Sequence, residues 1–490
     1  MKDKVLHKQA LLFTIINYAG TAIGIISALF IYPLDLGFSG TIKFIDNLSQ
    51  LLYPVMVLGA SHALIKFYPA LNEEKRRQLF NYSMLSIIVI SCFVFGGIIL
   101  YDLLGNFKNI DLVYFAFPVA ISLAFVDLFR KQAQDLQRLA VPTLFEKIIP
   151  KVVLPVLFIL LLNHVLGIYE SLLFYVISYV LIFVFTGWYL FKYFKPGYNY
   201  RFKTLFGEIS RKDYFRYSLF SFAGSLGSVL AFRIDGLIIY NMISEEANGV
   251  FGNAVTLASA MQVPAIGLFA LYAPIISNFL KNESFKELQV KYREIARLLF
   301  FIGALLYSCI LLGVEDLFMM LPTRNELMQM APIIYISGFS VLLNMATGFN
   351  TEIITYSKYY RFNMIAITSL IAVNIPLNLF VVYYTNWGIV GIAWASFISV
   401  TLFNIAKLLF IYKKFRLLPF DRGFAKMALI FGVSCLVIYY MPGTSSHFFN
   451  LVYKVGLSLV INVFVVHKLK LVVSLNQFTN KLFSRFTGKV

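Results

Sequence analysis

Apolar residues run along this chain in blocks of twenty or more, parted by short polar segments that are mostly basic. Blocks of that length fit helices crossing a bilayer, since one crossing takes about 20 residues. Barrel strands would alternate over about ten residues instead. Fourteen spans are predicted, over 10–33, 41–68, 79–101, 111–130, 139–163, 167–191, 214–240, 248–278, 296–320, 327–351, 362–386, 388–412, 425–442 and 448–467.

The pattern repeats. Residues 376–415, moved back 221 positions without a gap, lie on 155–194 with 8 identities in 40. The matches fall at marked positions: Pro155 on Pro376 at the start of a helix, Gly167 on Gly388 at the turn, Ser178 on Ser399 in mid-span, Lys192 on Lys413 at the end. Ala19-Gly20-Thr21 is echoed by Ala223-Gly224-Ser225. Six spans per copy is an even number, so both copies would share one orientation, as in transporters built from parallel repeats. The expected architecture is an all-α polytopic membrane protein of two parallel-repeat six-helix bundles. They are an N-terminal lobe (1–194) and a C-terminal lobe (214–415), joined by a basic linker (195–213). Two further helices (416–467) and an amphipathic cytoplasmic tail (468–490) complete it. Leu471, Leu475, Phe478, Leu482 and Phe486 in the tail recur at steps of three and four.

Composition agrees. Hydrophobic residues make up 59% of the chain and charged ones 13%, against about 25% charged in soluble domains. The formal net charge of +18 raises the question of nucleic acid, which the distribution excludes. Of the 42 Lys and Arg, 33 lie in alternate segments that would be cytoplasmic and 3 (Lys43, Lys108, Arg324) on the other side. That split places both termini in the cytoplasm by the positive-inside rule. Cys92, Cys309 and Cys435 sit in separate apolar spans without metal spacing; no metal or cofactor is expected.

The remaining six cations lie inside spans: Lys66, Lys147, Lys151, Arg233, Lys407 and Lys454. An ionisable group there costs at least about 2.5 kcal/mol unless paired or watered. Lys66, Lys407 and Lys454 are near span ends, where snorkelling accounts for them. Lys147 and Lys151 are deeper and one helical turn apart, so they repel and call for an anion, either a ligand or Glu146. Pro150 and Pro155 free the carbonyls of Glu146 and Lys151. Either these groups line a cavity or they form an internal salt bridge. Arg233 and Asp235 are two apart and face different ways, so each needs a partner on another helix. Asp46, Asp127 and Glu352 are further candidates for ion pairing or coupling. Pro54, Gly59, Pro264, Gly267 and Pro376 are candidate hinges or ordinary packing kinks.

Several motifs resemble polysaccharide-export flippases of the multidrug/oligosaccharidyl-lipid/polysaccharide exporter superfamily. Arg216-Tyr217-Ser218-Leu219, Arg233-Ile234-Asp235 and Asn248-Gly249-Val250-Phe251-Gly252 are similar to that family's seventh and eighth helices, with Phe251 where Tyr is usual. Leu58-Gly59 and Lys66-Phe67-Tyr68-Pro69 resemble its second helix, with Lys66 in place of Arg. Trp387-Gly388-Ile389-Val390-Gly391-Ile392-Ala393 resembles the opening of its twelfth. The resemblance covers roughly residues 10–415, and the two extra helices are similar to the lipid II flippase branch. It implies a flippase for an undecaprenyl-diphosphate-linked oligosaccharide, feeding O-antigen, capsule or exopolysaccharide assembly at the bacterial inner membrane, with the polymerase and assembly proteins as partners. The diphosphate would sit in a cleft between the lobes against Lys147, Lys151, Arg233 and Lys66. Two other classes compete: a cation-coupled multidrug antiporter with the same core, and a membrane polymerase. A polymerase needs carboxylates gathered in a large external loop. The external acids here are scattered over short ones, so no enzyme is expected.

Overall fold

The computed structural model describes residues 2–105, 108–473 and 475–476, and these form helices without a strand. The expected tail helix lies, from residue 477 on, outside the described residues. Eighteen α-helices follow in order: α1 Lys2–Phe30, α2 Leu36–Val57, α3 Ala60–Phe67, α4 Glu73–Leu103, α5 Ile110–Asp135, α6 Ala140–Leu162, α7 Ile168–Tyr193, α8 Phe202–Glu208, α9 Arg211–Met242, α10 Glu245–Ser259, α11 Val263–Lys281, α12 Phe285–Met319, α13 Arg324–Ala346, α14 Asn350–Tyr356, α15 Arg361–Tyr384, α16 Gly388–Phe415, α17 Arg422–Tyr439 and α18 His447–Lys468.

Among the described residues, 12 helices are long and apolar enough to cross a membrane, or 13 if the bent pair α2 and α3 makes one crossing. The fourteenth expected span is helix α6. It falls outside that set because any 18-residue window of it holds Glu146, Lys147 and Lys151. Apolar side chains point outward along these helices, among them Phe93, Trp188 and Val460, as lipid-facing surfaces do.

The helix ends follow local rules. Asp35 caps α2 by accepting from the Phe38 amide at 2.8 Å. Asn72 caps α4 by accepting from the Lys75 amide at 2.9 Å, with Glu73 and Glu74 in the first turn. Each offsets the unpaired amides and the positive end of a helix dipole. The second expected span, 41–68, is two helices bent by 49°. Pro54 lies in the last turn of α2, and the Leu58 amide donates back to its carbonyl at 2.9 Å. Leu58 (φ 43) and Gly59 (φ 76) are both left-handed, which ends α2 and starts α3 in a new direction.

The chain divides into two compact units, 1–252 and 253–490. In the first, α2 lies at the centre, packed on α5 and α9, while α6 packs on α1 and α7. Its core gathers Met56, Leu64, Leu79, Phe80, Leu128 and Phe129. Glycines let α2 come close to α9 and α10. A Cβ on Gly40 would fall 1.8 Å from the Glu245 carbonyl oxygen, one on Gly249 2.1 Å from that of Leu36, and one on Gly236 2.2 Å from Asn47 Nδ2. Asn248 Nδ2 donates across this seam to the Gly40 carbonyl at 2.8 Å. In the basic linker, helix α8 buries Leu205 and sets Phe206 5.1 Å from the Tyr82 ring, and Tyr198 ahead of it is exposed.

In the second unit, α12 packs on α13, α17 and α18, and α15 on α16. Gln289 of α12 holds the loop before α17 through both the amide and the carbonyl of Leu418, at 2.9 and 2.6 Å. Arg297 binds both carboxylate oxygens of Asp421, its Nε at 3.0 Å from Oδ1, and donates to the Leu471 carbonyl at 3.3 Å. Asp421 also caps α17 at the Phe424 amide, 2.9 Å away. Burial opposes ionisation there, but the Arg297 hydrogen bonds, the Phe424 amide and nearby Arg293 outweigh it and hold the Asp421 carboxyl below its ordinary value.

Candidate functional site

The charged residues of α6 are brought to a common region by their neighbours. Gly20 and Gly24 of α1 leave room for the lysine stems. A Cβ on Gly20 would lie 3.3 Å from the Lys147 carbonyl oxygen, and one on Gly24 3.7 Å from Lys151 Nζ. Glu146 is the anion for one of the two lysines, Lys147. Its carboxylate meets Lys147 Nζ at 3.0 Å and the guanidinium of Arg130 on α5. Arg130 looks like a cytoplasmic loop residue in the sequence, whereas helix α5 runs on past it to Asp135.

Arg233 of α9 finds its partner on α2: its Nη1 donates to Asp46 Oδ2 and Asn47 Oδ1, both at 3.1 Å. Lys43, one turn before Asp46, lies within electrostatic reach of Asp46, Arg233 and Lys151. Its assignment to an external loop is corrected here, because α2 begins at Leu36. Tyr53 of α2 lies within reach of Asp127, Glu146, Arg130 and Arg233. Tyr179 of α7 lies near Asp46, Arg233 and Glu146. Four helices of the first unit, α2, α5, α6 and α9, thus supply one mixed-charge site containing Lys43, Arg130, Lys147, Lys151 and Arg233.

Within this site the two signs differ in exposure. The side chains of Lys147 and Arg233 are 42% and 41% exposed, those of their partners Glu146 and Asp46 only 16% and 22%. The carboxylates stand behind the cations and leave the cationic faces open. Such an arrangement holds cations in place and presents positive charge to an anion.

The other candidates lie elsewhere. Lys66 sits over the Tyr217 ring, 4.2 Å from its centroid. Asp235, next to Gly236 of the glycine seam, is buried. Glu352 lies in α14 of the second unit, within reach of Lys407. Lys407 does not snorkel. It is 3% exposed, donates from Nζ to Thr351 Oγ1 at 2.6 Å and lies 4.1 Å from the Phe403 ring centroid. Asn350 extends this buried network to Thr351, Thr347 and Asn404. Pro54 and Gly59 flank the break in the second span. Pro264 and Gly267 lie in α11, with Pro264 in its first turn, and Pro376 is inside α15. Among the described residues, no three His, Cys, Asp or Glu gather as they would around a metal ion.

The second unit also holds an apolar cavity of 790 Å³, walled by α12, α13, α16 and α17. Phe300, Phe339, Phe431, Leu436 and Tyr439 form its sides, and Thr401 and Asn404 give it a polar corner.

The family profile described as "polysaccharide biosynthesis protein" matches residues 35–280. Among solved structures, the chain is similar to "Lipid II flippase MurJ, inward closed conformation", with 16% identity and a TM-score of 0.68 over 94% of this chain and 99% of that one. It is also similar to an inward-facing multidrug resistance MATE family transporter of the MOP superfamily (14% identity, TM-score 0.61, 83% and 98% covered). The outward-facing form of such a transporter gives 12% identity and a TM-score of 0.55, with 84% and 97% covered. At these identities the likeness shows the fold. No curated protein matches the chain in sequence.

Proposed function

The chain belongs to the polysaccharide biosynthesis protein family, within the MOP superfamily of multi-pass membrane transporters, and on that premise we propose that it is a flippase for a polyprenyl-diphosphate-linked oligosaccharide. One observation carries the substrate class: Lys147 and Arg233 present their charge outward while Glu146 and Asp46 stand behind them. A diphosphate cannot enter hydrocarbon unaided, and open cations at membrane depth are the groups that would receive it. In this reading Lys147, Lys151 and Arg233 bind the diphosphate, with Lys43 and Arg130 adding to the field. Lys66 stands apart, as an entry contact.

The apolar cavity of the second unit suits part of a polyprenyl tail in chemistry, which gives α17 a role as a wall for lipid. Counting α6 as a crossing, with Glu146 and Lys147 paired inside the protein, brings the spans to fourteen; an even number would put both termini on one side, which the basic segments make the cytoplasmic side of a bacterial inner membrane. Alternating access would then pass the headgroup to the outer leaflet, with the break at Gly59 as a hinge, for use by a polymerase and its assembly partners.

The fold is shared with multidrug transporters, so export of cationic drugs is the second reading; the outward-facing cations argue against it. The test is proteoliposome transport of a fluorescent undecaprenyl-diphosphate oligosaccharide by intact protein and by Lys147→Ala/Lys151→Ala. Movement by the first and not the second is expected. Movement of cationic dyes, with the lipid left in place, would select the drug reading.

A further inference from the structure

Resting on the flippase reading, we propose that Asp46 and Glu146 set the charge of the ligand that the site accepts: they exclude a sugar-free diphosphate monoester and admit a diphosphate esterified at both ends. The two carboxylates are not scattered. Asp46 lies 3.1 Å from Arg233 Nη1, and Glu146 lies 3.0 Å from Lys147 Nζ and also pairs with Arg130. Two of the three cations presented to the ligand, Arg233 and Lys147, are therefore each tied to an acid.

A site selected only for tight anion binding gains nothing from these acids, because each lowers the affinity for every anion. They do serve discrimination. A diphosphate diester carries one ionised oxygen on each phosphate, about −2 in all. A free terminal phosphate adds a second ionisation with a pKa of about 6, so the monoester reaches about −3 at pH 8. In a site partly withdrawn from water, the extra ligand charge has to find a cation of its own or remain unpaired, and unpaired charge is costly. Asp46 and Glu146 compensate Arg233 and Lys147, two of the three cations that the extra charge could use, and they repel it directly. This is selectivity by repulsion of the wrong ligand. The bare polyprenyl diphosphate and its glycosylated form share the tail and both phosphates, so charge at the second phosphate is a property that separates them apart from the sugar itself.

A purely structural role is the competing account. Asp46 and Glu146 would then be posts that steady Arg233, Arg130 and Lys147, and their loss would weaken every anion alike. Two probes separate the accounts: farnesyl diphosphate, and its P1-farnesyl-P2-methyl diester, which differ by one methyl group and one charge. Their dissociation constants are measured by calorimetry at pH 8 on the full chain in detergent, for the unaltered protein, Asp46→Asn and Glu146→Gln. The unaltered protein is expected to prefer the diester. Each neutral variant is expected to shift the ratio toward farnesyl diphosphate by about tenfold. The charge-retaining variants Asp46→Glu and Glu146→Asp, which guard against a misfolded neutral variant, are expected to keep the original preference.

An unchanged ratio, or equal weakening of both ligands, overturns the proposal and leaves the flippase reading standing. A shift in the charge-retaining variants as large as in the neutral ones also overturns it. Unaltered protein that binds neither probe removes the diphosphate reading itself, and the proposal with it.

Discussion

Replacing Gly59 by alanine tests whether the break in the second span is fixed by its backbone. Two separate penalties are expected. Gly59 is left-handed at φ 76, where a Cβ costs about 1–2 kcal/mol. That Cβ would also stand 2.1 Å from the Ser218 carbonyl oxygen and 2.9 Å from the Ser218 Cα. A backbone atom cannot rotate away as a side chain can, so α3 and α9 must separate, at the cost of overpacking, about 1–3 kcal/mol. Together the loss is about 2–5 kcal/mol. Gly96→Ala in α4 is the control. It meets nothing within 4 Å, and the gain in helix propensity is about 0.5–1 kcal/mol. The assay is thermal unfolding of the full chain in one detergent, followed by intrinsic fluorescence. Gly59→Ala is expected to melt several degrees below the unaltered protein and Gly96→Ala at or slightly above it. Equal melting of the two would refute the backbone account of the break.

Other outcomes follow from the same structure. Thr351→Val should destabilise by about 1–3 kcal/mol, because it leaves the buried Lys407 ammonium without its acceptor. The double change Lys407→Met/Thr351→Val should recover most of that loss, and unfolding curves for the three proteins decide it. Asp421→Asn should flatten the acid limb of stability. A carboxyl held below its ordinary value contributes above the unfolded pKa, about 3.9, and that contribution is lost as pH falls through the lower folded value. Melting temperatures between pH 7 and pH 3 are expected to converge for the two proteins at the acid end and to separate at neutral pH. Ala428→Trp, which would fill part of the apolar cavity, should slow transport of an undecaprenyl substrate more than that of a short-chain analogue, read in the same proteoliposomes.

Much of the fold is legible in the sequence because span length and basic loops are long-range averages, insensitive to any single residue. The α6 lysines were also legible, since two cations one turn apart need an anion and Glu146 is adjacent. What escaped was local. Lys43 is counted with an external loop although it lies just inside the span expected over 41–68; the signal that the helix starts well before it is Asp35, three residues before Phe38, in the position of a helix cap. Arg130 was hidden by the charge count, which treats every basic residue beyond a span as a loop residue, although α5 extends five residues further. Lys407 looks like a snorkelling residue by its distance from the helix end. Its phase was the better guide, because Ser399, Asn404, Lys407 and Ile411 share the buried face of α16. The pairing of Arg233 with Asp46 joins residues 187 positions apart; no local pattern carries it.

The glycine seam along α2 has a consequence for how its neighbours can part. Most helix contacts interlock side chains, and separating them requires rotamers to reorganise on both faces. Where Gly40 and Gly249 bring α2 and α10 together, backbone meets backbone and the faces are smooth, and Asn248 supplies a hydrogen bond across them. Smooth faces can come apart and close again with few side chains having to find a socket, whereas the α2–α9 side is keyed by Arg233 on Asp46 and by Tyr240 stacked on Phe44. The same smoothness removes tolerance to mutation. Position 40 accepts no side chain at all, however small, because the first carbon beyond the backbone already collides.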